Sequence, residues 1–301
     1  MWGNSQAMGN SGGLPQTILA YATVSGATSS PSATLTLPPL YEGWPLAAGS
    51  TGQLYVGGLN GTVLAYSRNS TGAAPPSRTI NVNSSEEVIT LAVDPKGLLY
   101  VGTVGTNRYA VRVYSAEASG AAVPLRTVQL PYSDSVQFLD VAADAAGNVY
   151  VVFYPVLPGA GPLGFIDVYA PDATGPTPTR TISFSSVVYG VAVDGAGNLF
   201  ADACPSLAGC VIEEFGPDAN GAASPINTIN VPNQSAGQYW GGPVRLDGAG
   251  NIFVSSGVRN PSTTVVNFFI YGFAPAATGN AAPTVQIPGA TETANSRFAI
   301  N

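Results

Sequence analysis

The chain has 301 residues, of which 45% are apolar and only 9% charged, with a net charge of −7 and no histidine. One lysine and nine arginines make no basic surface for nucleic acid, and no 18-residue apolar run provides a membrane-spanning helix. Without imidazole there is no Ser-His-Asp triad, no histidine general base and no histidine-ligated metal.

In chain order one plan recurs. The first unit carries Gly3, Tyr21, Gly26 and Pro31 within residues 1–37. The second, 44–84, has Gly49 and Gly52, then Tyr66, Gly72 and Pro76. The third, 88–130, runs Leu91-Ala92-Val93-Asp94, Gly97, Leu99-Tyr100-Val101, Val113-Tyr114, Gly120, Pro124 and Arg126-Thr127-Val128. The fourth, 138–184, repeats this with Asp144, Gly147, Tyr169, Gly175, Pro178 and Arg180. The fifth, 189–231, opens on Val191-Ala192-Val193-Asp194 and continues through Gly197, Phe215, Gly221 and Pro225. The sixth, 243–289, has Asp247, Gly250, Phe273, Gly279 and Pro283. Residues 296–301 end in Phe298-Ala299-Ile300-Asn301, which matches 191–194 and reads straight on into Met1-Trp2-Gly3.

Each unit reads as four short strands, A to D: A before the aspartate, B after the glycine, C ending at the aromatic, D rich in threonine. The β-branched and aromatic runs, punctuated by Gly, Pro, Asn and Asp, are strand signals, and no segment holds a 3.6-residue apolar period. One four-stranded sheet cannot bury both faces, whereas sheets stacked radially can. The expected fold is an all-β, six-bladed β-propeller with four antiparallel strands per blade. Strand A of the first blade comes from 296–301 and pairs with the N-terminal strands, closing a single domain over 1–301.

These units, Val-Ala-Val-Asp-x-x-Gly-Asn followed by an apolar and an aromatic residue, resemble the NHL-repeat family of six-bladed propellers over essentially the whole chain. That resemblance implies architecture and not activity, since the fold hosts binders, scaffolds and enzymes. Streptogramin lyases and peptide-amidating lyases on related propellers depend on histidine, which this chain lacks. Gluconolactonase-like propellers hold a divalent cation with Glu, Asn and Asp at the channel, and no such motif is recognisable here. No catalytic set, no metal site and no cofactor are assigned, and binding is favoured over catalysis.

The recurring aspartates fit a tight A–B turn, where a carboxylate at position i accepts backbone N–H bonds. Arg78, Arg126 and Arg180 precede D-strand threonines and read as solvated or locally paired. The prolines just upstream of the D strands read as protection of the outer edge. Cys204 and Cys210 lie in one B–C loop and are expected to form a disulfide, the alternatives being two free thiols or half a metal site, although two thiolates without histidine make a poor zinc set. A bridge implies an oxidising compartment: secreted, periplasmic or cell surface. So small a ring contributes roughly 2 kcal/mol.

Loop lengths separate the two faces. The aromatic-to-glycine step across C–D turns is nearly constant. The strand-B glycine to strand-C aromatic distance instead varies from 14 at Gly52–Tyr66 to 23 at Gly250–Phe273. Variable loops on a rigid scaffold are where function concentrates. The B–C/D–A face is therefore the expected ligand surface, with Tyr41, Trp44, Tyr132, Tyr154, Tyr239, Trp240, Glu86 and Asp134 as candidates. Phe153 and Tyr189 are placed on the same face. Aromatic rings beside carboxylates and amides suit a glycan, a peptide or a protein partner; the competing assignment is that the rings fill gaps between blades. The alternatives are a structural surface or matrix component that associates with its own copies, and a histidine-independent sugar or lactone lyase or hydrolase using Glu42, Glu86 or Asp134.

Overall fold

A computed structural model of the chain describes residues 2–4, 17–21, 31–38, 45–58, 60–106, 108–131, 136–155, 163–205, 209–232, 239–259, 266–291 and 298–300. Every regular element among them is a β-strand, and the strands assemble into six antiparallel sheets. Five sheets are blades that each use one continuous segment: Leu46–Asn81, Glu87–Gln129, Val136–Phe184, Val187–Asn230 and Tyr239–Thr291. The remaining sheet is composite, ordering Phe298–Ala299, Trp2–Asn4, Thr17–Ala20 and Ala33–Thr36. Its termini pair as expected, Trp2 opposite Ala299 and Gly3 opposite Phe298. The expectation of six like units is corrected in two respects. The composite sheet rests on short strands from both ends, and the last continuous blade gains a fifth strand, Tyr239–Trp240, because Gly241-Gly242-Pro243 interrupts its innermost edge.

Central strands are buried on both faces, so they read as unbroken apolar runs instead of alternating ones. Val149–Pro155 and Leu54–Gly57 show this directly. Tyr55, Tyr100, Tyr150, Phe200 and Phe253 occupy one equivalent B-strand position and are all at most 5% exposed. Apolar clusters lie between consecutive sheets. Val111 and Val113 pack with Val141, Val149 and Val151, and Ile166 and Val168 pack with Val191, Leu199 and Ala201. Phe298 and Ile300 meet Phe253, Ile270 and Ile287, while Ala299 joins Leu46, Leu54 and Val56.

The aromatic-to-glycine motif has a role that reaches beyond its own sheet. After Tyr66, Tyr114, Tyr169, Phe215 and Phe273 the chain makes a tight turn (Ala118 N–H to the Ser115 carbonyl, Ala277 N–H to the Ala274 carbonyl). In four of these turns the glycine that follows adopts a left-handed φ, +57° at Gly72, +58° at Gly120, +62° at Gly221 and +55° at Gly279, and Gly175 after Tyr169 does not. That conformation favours glycine, and it turns the backbone onto the outer strand of the preceding sheet. Gly120 donates to the Thr79 carbonyl and accepts from the Asn81 N–H, both at 2.7 Å, and Gly72, Gly221 and Gly279 make the same pair of contacts with Leu35, Ile182 and Ile229 between their partners. The recurring arginines reinforce this clasp. Arg78, Arg126 and Arg180 donate to the carbonyls of Ala116, Ala170 and Ala219 in the next C–D turn. Asn227 does so to Ala277 in the following unit.

The aspartates act as turn acceptors. Asp194 Oδ1 accepts the Ala196 and Asn198 N–H groups, and its Oδ2 accepts the Asn198 side-chain amide. Asp144 and Asp247 repeat the arrangement. Asp94 accepts from Lys96 and Leu98 and from the Tyr100 hydroxyl. These carboxylates are spent on local structure.

Candidate functional site

The innermost strands converge on an axial cavity of about 560 Å³, framed at its mouth by A–B turn residues such as Asp94, Pro95, Asp194, Asp247 and Gly248. The repeat aligns one wall position of every sheet: Ala47, Ala92, Ala142, Ala192 and Ala299 present methyl groups, and Arg245 stands at the sixth. Arg245 reaches across to Asp140, Nη1 to Oδ2 at 2.9 Å and Nη2 to Oδ1 at 3.0 Å. Asp140 is fully buried, and it also accepts the Thr90 hydroxyl and the Val191 N–H. One carboxylate therefore ties four sheets together beside the axis. Sequence reasoning missed this pair. Its signal was the column of alanines broken by one arginine in Val244-Arg245-Leu246-Asp247.

Further ionisable groups stand on the B–C/D–A face. Glu86 faces Arg112 in a two-pronged contact, Oε2 to Nη1 at 2.5 Å and Oε1 to Nη2 at 2.8 Å. Arg112 also donates to the Thr103 hydroxyl, and the Asn83 amide donates to Glu86. Burial opposes the charge on Glu86, but the hydrogen bonds and the nearby Arg112 guanidinium outweigh it and hold the carboxyl below its usual range. As a ligand contact or acid/base Glu86 would first have to leave Arg112.

Asp202 is wholly buried at the B–C end of strand Leu199–Cys204. Its Oδ2 accepts the Gly242 N–H at 2.7 Å, and Oδ1 has no partner among the described residues. Burial pushes this carboxyl up to about 8. Tyr189 lies against it, its hydroxyl pKa raised first by burial and then by Asp202 and Tyr154. Gly190, Gly241 and Gly242 make room here: a Cβ at Gly190 would overlap the Gly242 carbonyl, and one at Gly241 would overlap the Asp202 carboxylate and the Tyr189 ring. Cys204 and Cys210 form the expected disulfide, with Cα atoms 4.0 Å apart. Their sulfurs and an Asp202 oxygen all lie within 4.8 Å of one another.

Of the sequence candidates, Glu86 is placed as above, and Tyr154 is half-buried near the end of strand Val149–Pro155, opposite Gln137. For Tyr239 and Trp240 the backbone is defined, pairing with Val258 and Gly257. Tyr41, Trp44, Tyr132 and Asp134 lie outside the described residues. Phe153, expected on the ligand face, is instead fully buried and packs against Tyr109, Phe138 and Phe165. It sits in a strand buried on both faces, where a large ring fills the gap between sheets.

No family model matches the chain, and no curated protein matches it. Solved structures do. A protein of unknown function from Bacteroides caccae aligns with a TM-score of 0.58 at 12% identity, covering 95% of this chain and 98% of that one. The WD40 β-propeller domain of Doa1 aligns with a TM-score of 0.50 at 12% identity, covering 86% and 83%. At this identity the likeness concerns fold alone: the chain is a β-propeller. Among the described residues no helix is long and apolar enough to cross a membrane.

Proposed function

We propose that this chain is an extracytoplasmic binding propeller of the NHL type, with the composite sheet completing a ring of six blades, and that it recognises a glycan, peptide or protein partner on its B–C/D–A face. The contrast between the two faces carries this reading. On the A–B/C–D side the aspartates and turn carbonyls are already bonded within the protein. On the opposite side Glu86, Tyr154, Tyr189 and Asp202 accompany loops of unequal length, beside the strand that bears Tyr239 and Trp240. The disulfide favours an oxidising compartment. Glycan-array and pull-down binding should be lost on Trp240→Ala and kept on Arg68→Ala, a change beside the A–B turn of the second unit. Binding that survives Trp240→Ala, Trp44→Ala and Tyr132→Ala together would put the surface elsewhere.

A second reading, association between copies, is favoured by one observation. Val123, Leu125 and Ile226 flank the outer strands and are 85%, 64% and 65% exposed. Apolar groups this open at equivalent rim positions suit lateral packing. Sedimentation as a large assembly that Leu125→Ser/Ile226→Ser disperses would support this reading, and a monomer at all concentrations would remove it.

A further inference from the structure

The disulfide and Asp202 form a buried cluster beneath the B–C/D–A face, where Asp202 itself is closed to solvent. Two sulfurs and a carboxylate oxygen lie within 4.8 Å of one another, and the carboxylate is completely buried. Gly242 N–H holds Oδ2 at 2.7 Å, which fixes the orientation of the carboxylate and leaves Oδ1 unbonded among the described residues. An acceptor kept dry without a donor is costly and calls for an explanation such as an ion. In the disulfide the sulfurs are bonded to each other and cannot ligate. Once that bond opens, two thiolates and one carboxylate make a borderline-soft S₂O set. Tetrahedral zinc, with Zn–S near 2.3 Å, needs its sulfurs only about 3.8 Å apart, a small separation from their present contact.

We propose that the reduced protein binds a thiophilic divalent cation, of which zinc is the type, through Cys204 Sγ, Cys210 Sγ and Asp202 Oδ1, with water in the fourth place, so that the B–C loop of this blade is a redox-gated metal site. The chemistry balances with a dithiol reductant. Its two thiols exchange with the Cys204–Cys210 bond, the reductant leaves as its own disulfide, and Cys204 and Cys210 become thiols. Metal entry then releases to solvent the two thiol protons and whatever proton the Asp202 carboxyl carries. The Gly242 N–H to Asp202 Oδ2 bond supplies the outer-shell support that such ligands need.

The test uses the full chain, reduced with a phosphine or left oxidised, freed of reductant under argon and titrated with Zn²⁺ against a chromophoric chelator. The reduced protein should take up one zinc per chain and the oxidised protein none. Asp202→Asn should weaken uptake by tenfold or more, and Cys210→Ser should abolish it, with circular dichroism confirming the fold of each. Reduced protein charged with Co²⁺ should show thiolate-to-metal absorption and tetrahedral d–d bands, a readout that needs no variant. Equal uptake by oxidised and reduced chains, or unchanged affinity in folded Asp202→Asn, overturns the proposal. So does a reduced wild type without thiolate-to-metal absorption.

Discussion

Arg245→Ala would restore the sixth alanine of the axial wall and, despite looking like a repair of the repeat, should destabilise the protein. Its partner Asp140 is fully buried, whereas the arginine side chain is 18% exposed. Removing one member of a buried pair costs about 3–5 kcal/mol, because a charge is left without compensation. Asp140 keeps the Thr90 hydroxyl and the Val191 N–H, so the lower end applies, about 3 kcal/mol. At about 2.1 cal/mol/K of unfolding entropy per residue, this lowers the midpoint by about 5 °C. Asp140→Asn/Arg245→Ala should recover about 1–2 kcal/mol of that loss, since asparagine carries no charge and can accept the Val191 N–H through its oxygen while its amide donates to the Thr90 hydroxyl. Urea unfolding followed by fluorescence, with m unchanged among variants, measures both quantities. A double variant no more stable than Arg245→Ala would refute the coupling and reduce the pair to a spectator contact.

Two glycines should separate conformational from steric cost. Gly120→Ala meets nothing within 4 Å and should lose only about 1 kcal/mol for its left-handed φ, whereas Gly190→Ala, which drives a methyl into the Gly242 carbonyl and Val244 N, should lose several times more in the same assay. Because Glu86 titrates below its usual range in the folded chain, its ion pair contributes stability above the unfolded carboxyl pKa that fades as pH falls through the folded one. The deficit of Glu86→Gln should thus be full at neutral pH and shrink below about pH 4.5; a deficit independent of pH down to 3 would contradict the pairing. Deleting 296–301 removes the wholly buried Phe298 and its pairing with Gly3, so the midpoint should fall well below that of Arg245→Ala. An unaltered midpoint would mean that the terminal strands contribute nothing.

What was legible in the sequence is what a short window contains. Asp194 closes its turn with Gly197, three residues on, and Asn198, four residues on. Cys204 and Cys210 needed only a loop to meet. The left-handed glycine after Tyr66, Tyr114, Phe215 and Phe273 left its mark as a spacing, but the partner of that glycine belongs to another unit, and no local pattern reveals it. The same holds for Asp140 and Arg245, which are 105 positions apart. Phe153 was misplaced because strand length was read from loop spacing, and its strand continues buried to Phe153 before reaching the half-buried Tyr154. A bulge at Tyr189, between Val188 and Gly190, shifts the register so that its ring meets Asp202. Residue types alone carry no such offset.

The glycine clasp bears on how so sparsely charged a chain guards the edges of its outer strands. Exposed β edges usually rely on gatekeeper lysines or glutamates to repel incoming strands, and this protein has few of either. Instead, backbone groups of Thr34, Thr79, Thr181 and Thr228 on outermost strands are already occupied by the adjacent sheet. A would-be cross-β recruit finds those positions taken, so resistance to fibril growth becomes a property of the architecture. It should weaken first wherever a clasp is opened.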